Sequence, residues 1–270
     1  MSIQPTQPQS IGGVLDTTFQ LYKASVVKMI PLSLLMVIAG SPQSIYMFTQ
    51  GAAGNPADPF AMLNMMSSGG YILAALIGTI GSMWMVSAAY LKINAIGTGG
   101  DLSVGAAIQK ALTRLLAVLV MMILFGIALT IGLILLIIPC LILMVSLALC
   151  FNIALLEDKG PVDSLTESHR LVWGNWWRTA AILTVGFIII FVIYLIAGMI
   201  IGVITPLVVL GGGTDNVLLI SLVSGLLVGV LMSLLVTPFY ISLAIAIYWD
   251  LKLRKDGGDL AARVGALNAA

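Results

Sequence analysis

The sequence predicts an all-α integral membrane protein with six transmembrane helices arranged as three hairpins, each preceded by a cytoplasmic interfacial amphipathic helix. Three observations carry this prediction. Hydrophobic residues make up 60% of the 270 positions and charged residues 9%, with a mean hydropathy of +1.12, far outside the range of soluble domains. Several uncharged stretches reach the roughly 20 residues that a helix needs to cross about 30 Å of hydrocarbon. Those stretches are neither about ten residues long nor alternating, as the strands of a membrane barrel would be.

Uncharged apolar windows place the spans at 28–49, 70–92, 115–136, 138–156, 179–205 and 217–248. The third and fourth lie in one uncharged run of 42 residues, Leu115 to Leu156. As a single helix that run would be about 63 Å long, twice the hydrocarbon thickness. A tight turn near Pro139 is therefore expected, since proline is tolerated in the first turn of the returning helix. The whole chain reads as one membrane domain: an N-terminal interfacial helix within 1–27, a six-span bundle over 28–248 and a tail over 249–270.

Lysine and arginine set the orientation. Lys23 and Lys28 precede the first span; Lys92, Lys110 and Arg114 fall between the second and third. Lys159, Arg170 and Arg178 fall between the fourth and fifth, and Lys252, Arg254, Lys255 and Arg263 follow the sixth. All twelve share one side, and the opposite loops hold only Asp58 and Asp215 as charges. Both termini are expected in the cytoplasm, with the chain in a bacterial inner membrane. The first twenty residues lack a basic region followed by an apolar core, so no cleavable signal is expected. Nor is a lipidation motif visible, because Ser2 follows Met1 and no cysteine lies near the C-terminus.

Before the first span, "SIGGVLDTTFQLYK" sets Ile11, Leu15, Phe19 and Tyr22 at helical spacing, with Asp16, Gln20 and Lys23 on other faces. It reads as an amphipathic helix on the inner leaflet, with Ser10 as N-cap. "DLSVGAAIQKALTR", capped by Asp101 or Ser103, and "GPVDSLTESHRLVW" repeat the plan before the third and fifth spans. Leu15, Ile108 and Leu165 then occupy equivalent places in three copies of one unit.

Three segments, "SIGGVLDTTFQLYK", "LEDKGPVDSLTESHRLVWGNWWRT" and the closing "YWDLKLRKDG", resemble the glycerophosphoryl diester phosphodiesterase membrane-domain family, together with the YciC-like bacterial inner-membrane proteins. The resemblance covers about a third of the chain. Some members of that family carry a fused phosphodiesterase barrel, for which this chain has no room. What the resemblance implies is a membrane module, not the activity in the family's name.

Chemistry finds little footing. One histidine excludes most hydrolytic metal sites, and the two cysteines, ten residues apart in one apolar run, are too far apart on a helix for a disulfide. Glu157, Asp158, Asp163 and Glu167 cluster before the fifth span and are the only carboxylates grouped for a hydrolytic or Mg²⁺ role. Their spacing with Arg170 suits a solvated, salt-bridged helix face. "GTGGD" at 97–101 lacks the Gly-Lys-Ser/Thr ending of a phosphate loop, and a GxSxG elbow is absent. No catalytic residue, metal or cofactor is assigned. A net charge of +1 and the lack of a basic aromatic run argue against nucleic acid.

The spans hold no ionisable residue away from their ends, which coupled carriers usually require. Their polar residues are mostly small hydroxyls, joined by Asn94 and Asn152, both expected near the cytoplasmic ends where water satisfies them. Gly198 with Gly202 and Gly225 with Gly229 form GxxxG pairs that an antiparallel hairpin would bring together for close packing. Pro238 is expected to kink the sixth span.

At the entrance to the fifth span, Trp173, Trp176 and Trp177 share one helical face, with Arg170 and Arg178 on a neighbouring one. Together with Lys23 and Lys28 they form the candidate interface for lipid head groups. A specific anionic-lipid pocket of Arg170, Trp173, Trp176 and Arg178 is the sharper version.

The expected role is thus a non-enzymatic membrane-organising or protein-interaction module. A transporter or flippase-like handler of lipids and amphiphiles is the alternative, and a membrane-embedded lipid enzyme comes third. Expected partners are membrane lipids, anionic head groups among them, and a membrane protein or second copy of the chain.

Overall fold

The computed structural model describes residues 2–53, 60–212 and 217–268, and among these all regular structure is helical. In chain order the helices are α1 (Ile11–Ala53), α2 (Ala61–Met66), α3 (Gly69–Gly97), α4 (Val104–Leu135) and α5 (Ile137–Ser146). They continue with α6 (Cys150–Leu156), α7 (Pro161–Trp173), α8 (Trp176–Gly212) and α9 (Val217–Asn268). Six stretches are long and apolar enough to cross a membrane: Ile11–Gln50, Gly69–Gly97, Val104–Leu135, Ile137–Leu156, Trp176–Ile200 and Leu227–Gly257. Each overlaps one of the six predicted spans, although the first begins already at Ile11 and the sixth continues to Gly257. The predicted outer-loop charges Asp58 and Asp215 lie outside the described residues.

Two of the three amphipathic segments are not separate helices. The first runs without interruption into the first span as α1, and the second into the third span as α4. The reason is local: residues 14–30 and 106–125 contain neither glycine nor proline, so nothing ends the helix before the apolar run begins. The third segment stays distinct as α7, because Gly174 and Asn175 interrupt it before α8. Ser10 and Ser103 cap their helices, accepting from the amides of Gly13 (3.1 Å) and Ala106 (3.2 Å).

The buried stripe of the first segment also differs from the predicted one. Val14, Thr17, Thr18, Leu21 and Ser25 face the core, with Thr18 and Ser25 returning their hydroxyls to carbonyls of their own helix. Phe19 and Tyr22 flank that stripe and set their rings against Phe239 of α9, at 5.5 and 5.8 Å between centroids.

The third and fourth spans form the expected hairpin, but the chain turns at Leu136, three residues before Pro139. Leu136 adopts φ 152° and ψ 163°, a region that glycine tolerates and leucine does not. Pro139 sits in the first turn of α5, where its missing amide costs nothing. Below the turn the two helices come so close that a Cβ on Gly132 would lie 3.0 Å from Cα of Cys140. The returning span is itself broken between α5 and α6. Ser168 of α7 sutures that break, its hydroxyl accepting from the Leu149 amide (3.2 Å) and donating to the Ser146 carbonyl (3.0 Å).

The core lies toward the end of the bundle that carries the basic residues. Every residue from Ile241 to Leu251 of α9 is buried, so this half of α9 is a central post packed on all sides. Asn152, predicted to meet water, is fully buried instead, and its amide donates to the Ala244 carbonyl at 2.7 Å. Lys92 is likewise enclosed, because α3 continues five residues past the predicted span; its Nζ donates to the Leu102 carbonyl at 2.9 Å. In the other half of the bundle α8 stands largely exposed, with Phe187, Ile188, Phe191 and Leu195 uncovered by protein, as lipid-facing side chains are.

Candidate functional site

Two features stand out: a charged latch at the basic end and an apolar cavity in the opposite half. The latch centres on Asp250, a carboxylate only 1% exposed on the central post. One turn beyond it on α9, Arg254 donates from Nε at 3.0 Å. Arg178, at the start of α8, donates from Nη2 at 2.9 Å and Nε at 3.3 Å to the same oxygen. The other carboxylate oxygen accepts the Gln9 amide at 2.7 Å. Both guanidinium groups also donate to the Gln9 carbonyl, and Thr17 donates to its side-chain oxygen at 3.0 Å.

The residues before α1 are thereby strapped across the basic end. The strap's other end is held by Gly97, whose carbonyl accepts from the amides of Ile3 (2.7 Å) and Gln4 (3.1 Å). A side chain at position 97 would collide with the Trp249 indole, so only glycine lets α3 approach α9 here.

A second network joins α6, α7 and α9. Glu157 accepts from Lys252 (2.6 Å) and Tyr248 (2.7 Å) and pairs with Lys159 (3.0 Å). Burial alone would oppose its ionisation, but those three donors outweigh it and hold its pKa down at about 2. Glu167 is also lowered: burial opposes ionisation, while Lys255 (2.6 Å) and Arg170 (2.8 Å) favour it more strongly. Arg114 of α4 pairs with Asp158 at 2.8 Å. Asp158 takes φ 56°, a left-handed conformation that aspartate tolerates. Three of the four carboxylates that sequence singled out are thus held by cations. Asp163 is exposed in the first turn of α7. Among the described residues no three His, Cys, Asp or Glu side chains converge as metal ligands would.

The structure separates the predicted lipid-binding residues. The turn at Gly174 and Asn175 puts Trp173 at the end of α7 and Trp176 and Trp177 at the start of α8, so the three do not share one helix. Trp177 is 82% exposed, whereas Trp176 donates its indole N–H to the Ile142 carbonyl at 3.3 Å. Arg178 turns inward to Asp250, and Arg170 lies exposed against Glu167. Arg170 and Arg178 are thus each held by a carboxylate, one on α7 and the other on α9. Lys23 and Lys28 are exposed and form no ion pair among the described residues.

The cavity, about 850 Å³, lies between α1, α8 and α9, with Val86 of α3 also on its wall. Met36, Ile45, Met47 and Phe48 of α1 face Met232, Val236 and Thr237 of α9, with Tyr194 of α8 at the side. At its inner end α1 and α9 are clasped by two reciprocal bonds, Ser33 hydroxyl to Ser233 carbonyl (3.1 Å) and Ser233 hydroxyl to Ser33 carbonyl (2.9 Å). Gly225 and Gly229, predicted to pack closely on Gly198 and Gly202, line this cavity instead. A Cβ on any of the four glycines would meet no described atom within 4 Å. Pro238 is buried just below, and α9 continues through it.

Residues 67–248 match a family described as a domain of unknown function, DUF7847. The chain belongs to this family. The DUF7847 region runs from just before α3 to Tyr248 of the central post, so it takes in Glu157 with Tyr248 and Lys159 and the α8–α9 wall of the cavity, while Lys252 and Lys255 fall just beyond it. The strap, α1 and Asp250 lie outside it. No curated protein and no solved structure matches the chain.

Proposed function

We propose that the protein is a non-enzymatic multi-pass protein of the bacterial cytoplasmic membrane that binds and handles a lipid or another amphiphile within its bundle. The observation that carries this reading is the cavity of about 850 Å³ among the spans, lined mainly by aliphatic, methionine and aromatic side chains. Its size falls in the roughly 300–1,000 Å³ range of small-molecule sites, and its apolar walls suit hydrocarbon better than water. Ion pairing of Glu157, Asp158 and Glu167 supports a role without catalysis, since these carboxylates are not free to ligate a metal. The resemblance to the glycerophosphoryl diester phosphodiesterase membrane-domain family points the same way, toward a membrane module.

The basic end faces the cytoplasm in this reading, with the N-terminal part of α1, the N-terminal part of α4 and all of α7 at the inner leaflet. Exposed Lys23 and Lys28 then stand where anionic head groups are found. Reconstitution tests the reading: vesicles containing the protein move a fluorescent lipid between leaflets, or withdraw it from them, faster than protein-free vesicles. Equal behaviour with and without protein contradicts it.

A membrane-organising or interaction module is the second reading. It is favoured by the latched basic end, which presents α7 and the end of α9 as one braced surface for a membrane-protein partner. A mild-detergent pull-down that repeatedly recovers no partner counts against it.

A further inference from the structure

The cavity carries no charged residue among its described lining; the ion pairs among the described residues lie at the other end of the bundle. It does carry hydroxyls, and they divide into two sets. Those of Ser41 and Ser233 are occupied by backbone carbonyls. Those of Ser44, Tyr194 and Thr237 have no hydrogen-bond partner among the described residues. Along α1 the lining extends from Met36 to Phe48, about 18 Å of helix, close to the depth of one leaflet. Ile38, Ile45 and Tyr194 remain exposed at its edge, so the space communicates with the surrounding hydrocarbon.

We propose that this cavity selects a chain-bearing lipid with an uncharged, oxygen-bearing end, such as a diacylglycerol or a long-chain alcohol, from the leaflet away from the basic end. This selection rests on the lipid-handling reading above and adds head-group choice to it. A phosphate brought into the cavity would lose its hydration and find no cation, a cost that a hydroxyl or ester escapes. Ser44, Tyr194 and Thr237 supply donors and acceptors for such a group, while the methionine and isoleucine walls take the chain.

The test uses the full-length protein in vesicles of phosphatidylethanolamine and phosphatidylglycerol, doped with one of two photoreactive probes. One is a diacylglycerol and the other a phosphatidylglycerol, both with a diazirine in the acyl chain. Labelled peptides are mapped by mass spectrometry. The expected result is about tenfold more labelling of 36–48 and 225–237 by the diacylglycerol probe than by the anionic one. Joint replacement Tyr194→Phe and Thr237→Val should shrink that preference, and Gly229→Leu should abolish labelling by both probes. Gly198→Leu, off the cavity wall, serves as the folding and packing control and leaves labelling unchanged. Equal labelling by the two probes overturns the head-group selection but leaves lipid handling standing. Cavity labelling by neither probe, or labelling that Gly229→Leu does not touch, overturns both.

Discussion

Replacing Asp250 by asparagine preserves shape but reverses the role of one carboxylate oxygen. The substituted side chain keeps an acceptor for the Gln9 amide, while its NH₂ group faces the Arg178 and Arg254 donors that point at the native carboxylate, at 2.9 and 3.0 Å. Each charge-assisted bond lost contributes about 1.5–3 kcal/mol. Because Arg178 and Arg254 are 19% and 30% exposed, water recovers part of this. The expected net loss is about 3 kcal/mol, the lower end of the ~3–5 kcal/mol seen when a buried pair loses one member. Asp158→Asn removes a pair whose carboxylate is 50% exposed, and should cost less than about 1 kcal/mol. Denaturation by SDS titration from mixed micelles measures both. Hydrogen exchange at residues 2–10 adds a local readout, since loss of the latch frees the strap in Asp250→Asn alone. If the two variants unfold alike, or if exchange in the strap does not change, the latch does not hold the basic end as argued.

Four further outcomes follow from the geometry. Glu157 has a folded pKa of about 2, below its unfolded value of about 4.3, so its contribution is full above pH 5 and is lost as pH falls toward 2. Unfolding across that window should show an acid-dependent loss that Glu157→Gln reduces without abolishing, because Glu167 is also held below its ordinary value. Leu136→Gly relieves a backbone strained at φ 152° and should stabilise the hairpin by about 1 kcal/mol, read by the same titration; destabilisation would contradict the strain. Ser33→Ala and Ser233→Ala each remove one side-chain donor to a backbone carbonyl and should each cost about 0.6 kcal/mol, the typical value for membrane hydrogen bonds, read by the same titration. Gly97→Ala should cost about 1–3 kcal/mol through collision with Trp249, whereas Gly202→Ala should be near neutral, and the reverse ranking would restore the close packing expected from the GxxxG spacing.

The six spans were legible because an uncharged run of about 20 residues has few fates other than crossing a membrane, and the 42-residue run could not cross once. Salt bridging between Glu167 and Arg170 was legible too, being a matter of three residues along one helix. The latch was not. Gln9 and Asp250 are 241 residues apart, and nothing local to either names the other. A signal did exist in the lone acidic residue at the end of the sixth span, four before Arg254, but it foretold one partner and not Arg178. The tryptophan stretch misleads because its spacing implies a continuous helix through Gly174 and Asn175, which in fact part Trp173 from Trp176. The glycine pairs mislead for the opposite reason: GxxxG permits close approach without requiring it, and here all four glycines have no described atom within reach of a Cβ.

Native mass spectrometry from gentle detergent tests the central claim, that the bundle holds a lipid between α1, α8 and α9, most directly. Wild-type protein should retain a lipid that is kept in Gly198→Leu and lost in Gly229→Leu. A wild-type protein that carries no lipid, or a Gly229→Leu protein that carries it undiminished, would contradict it.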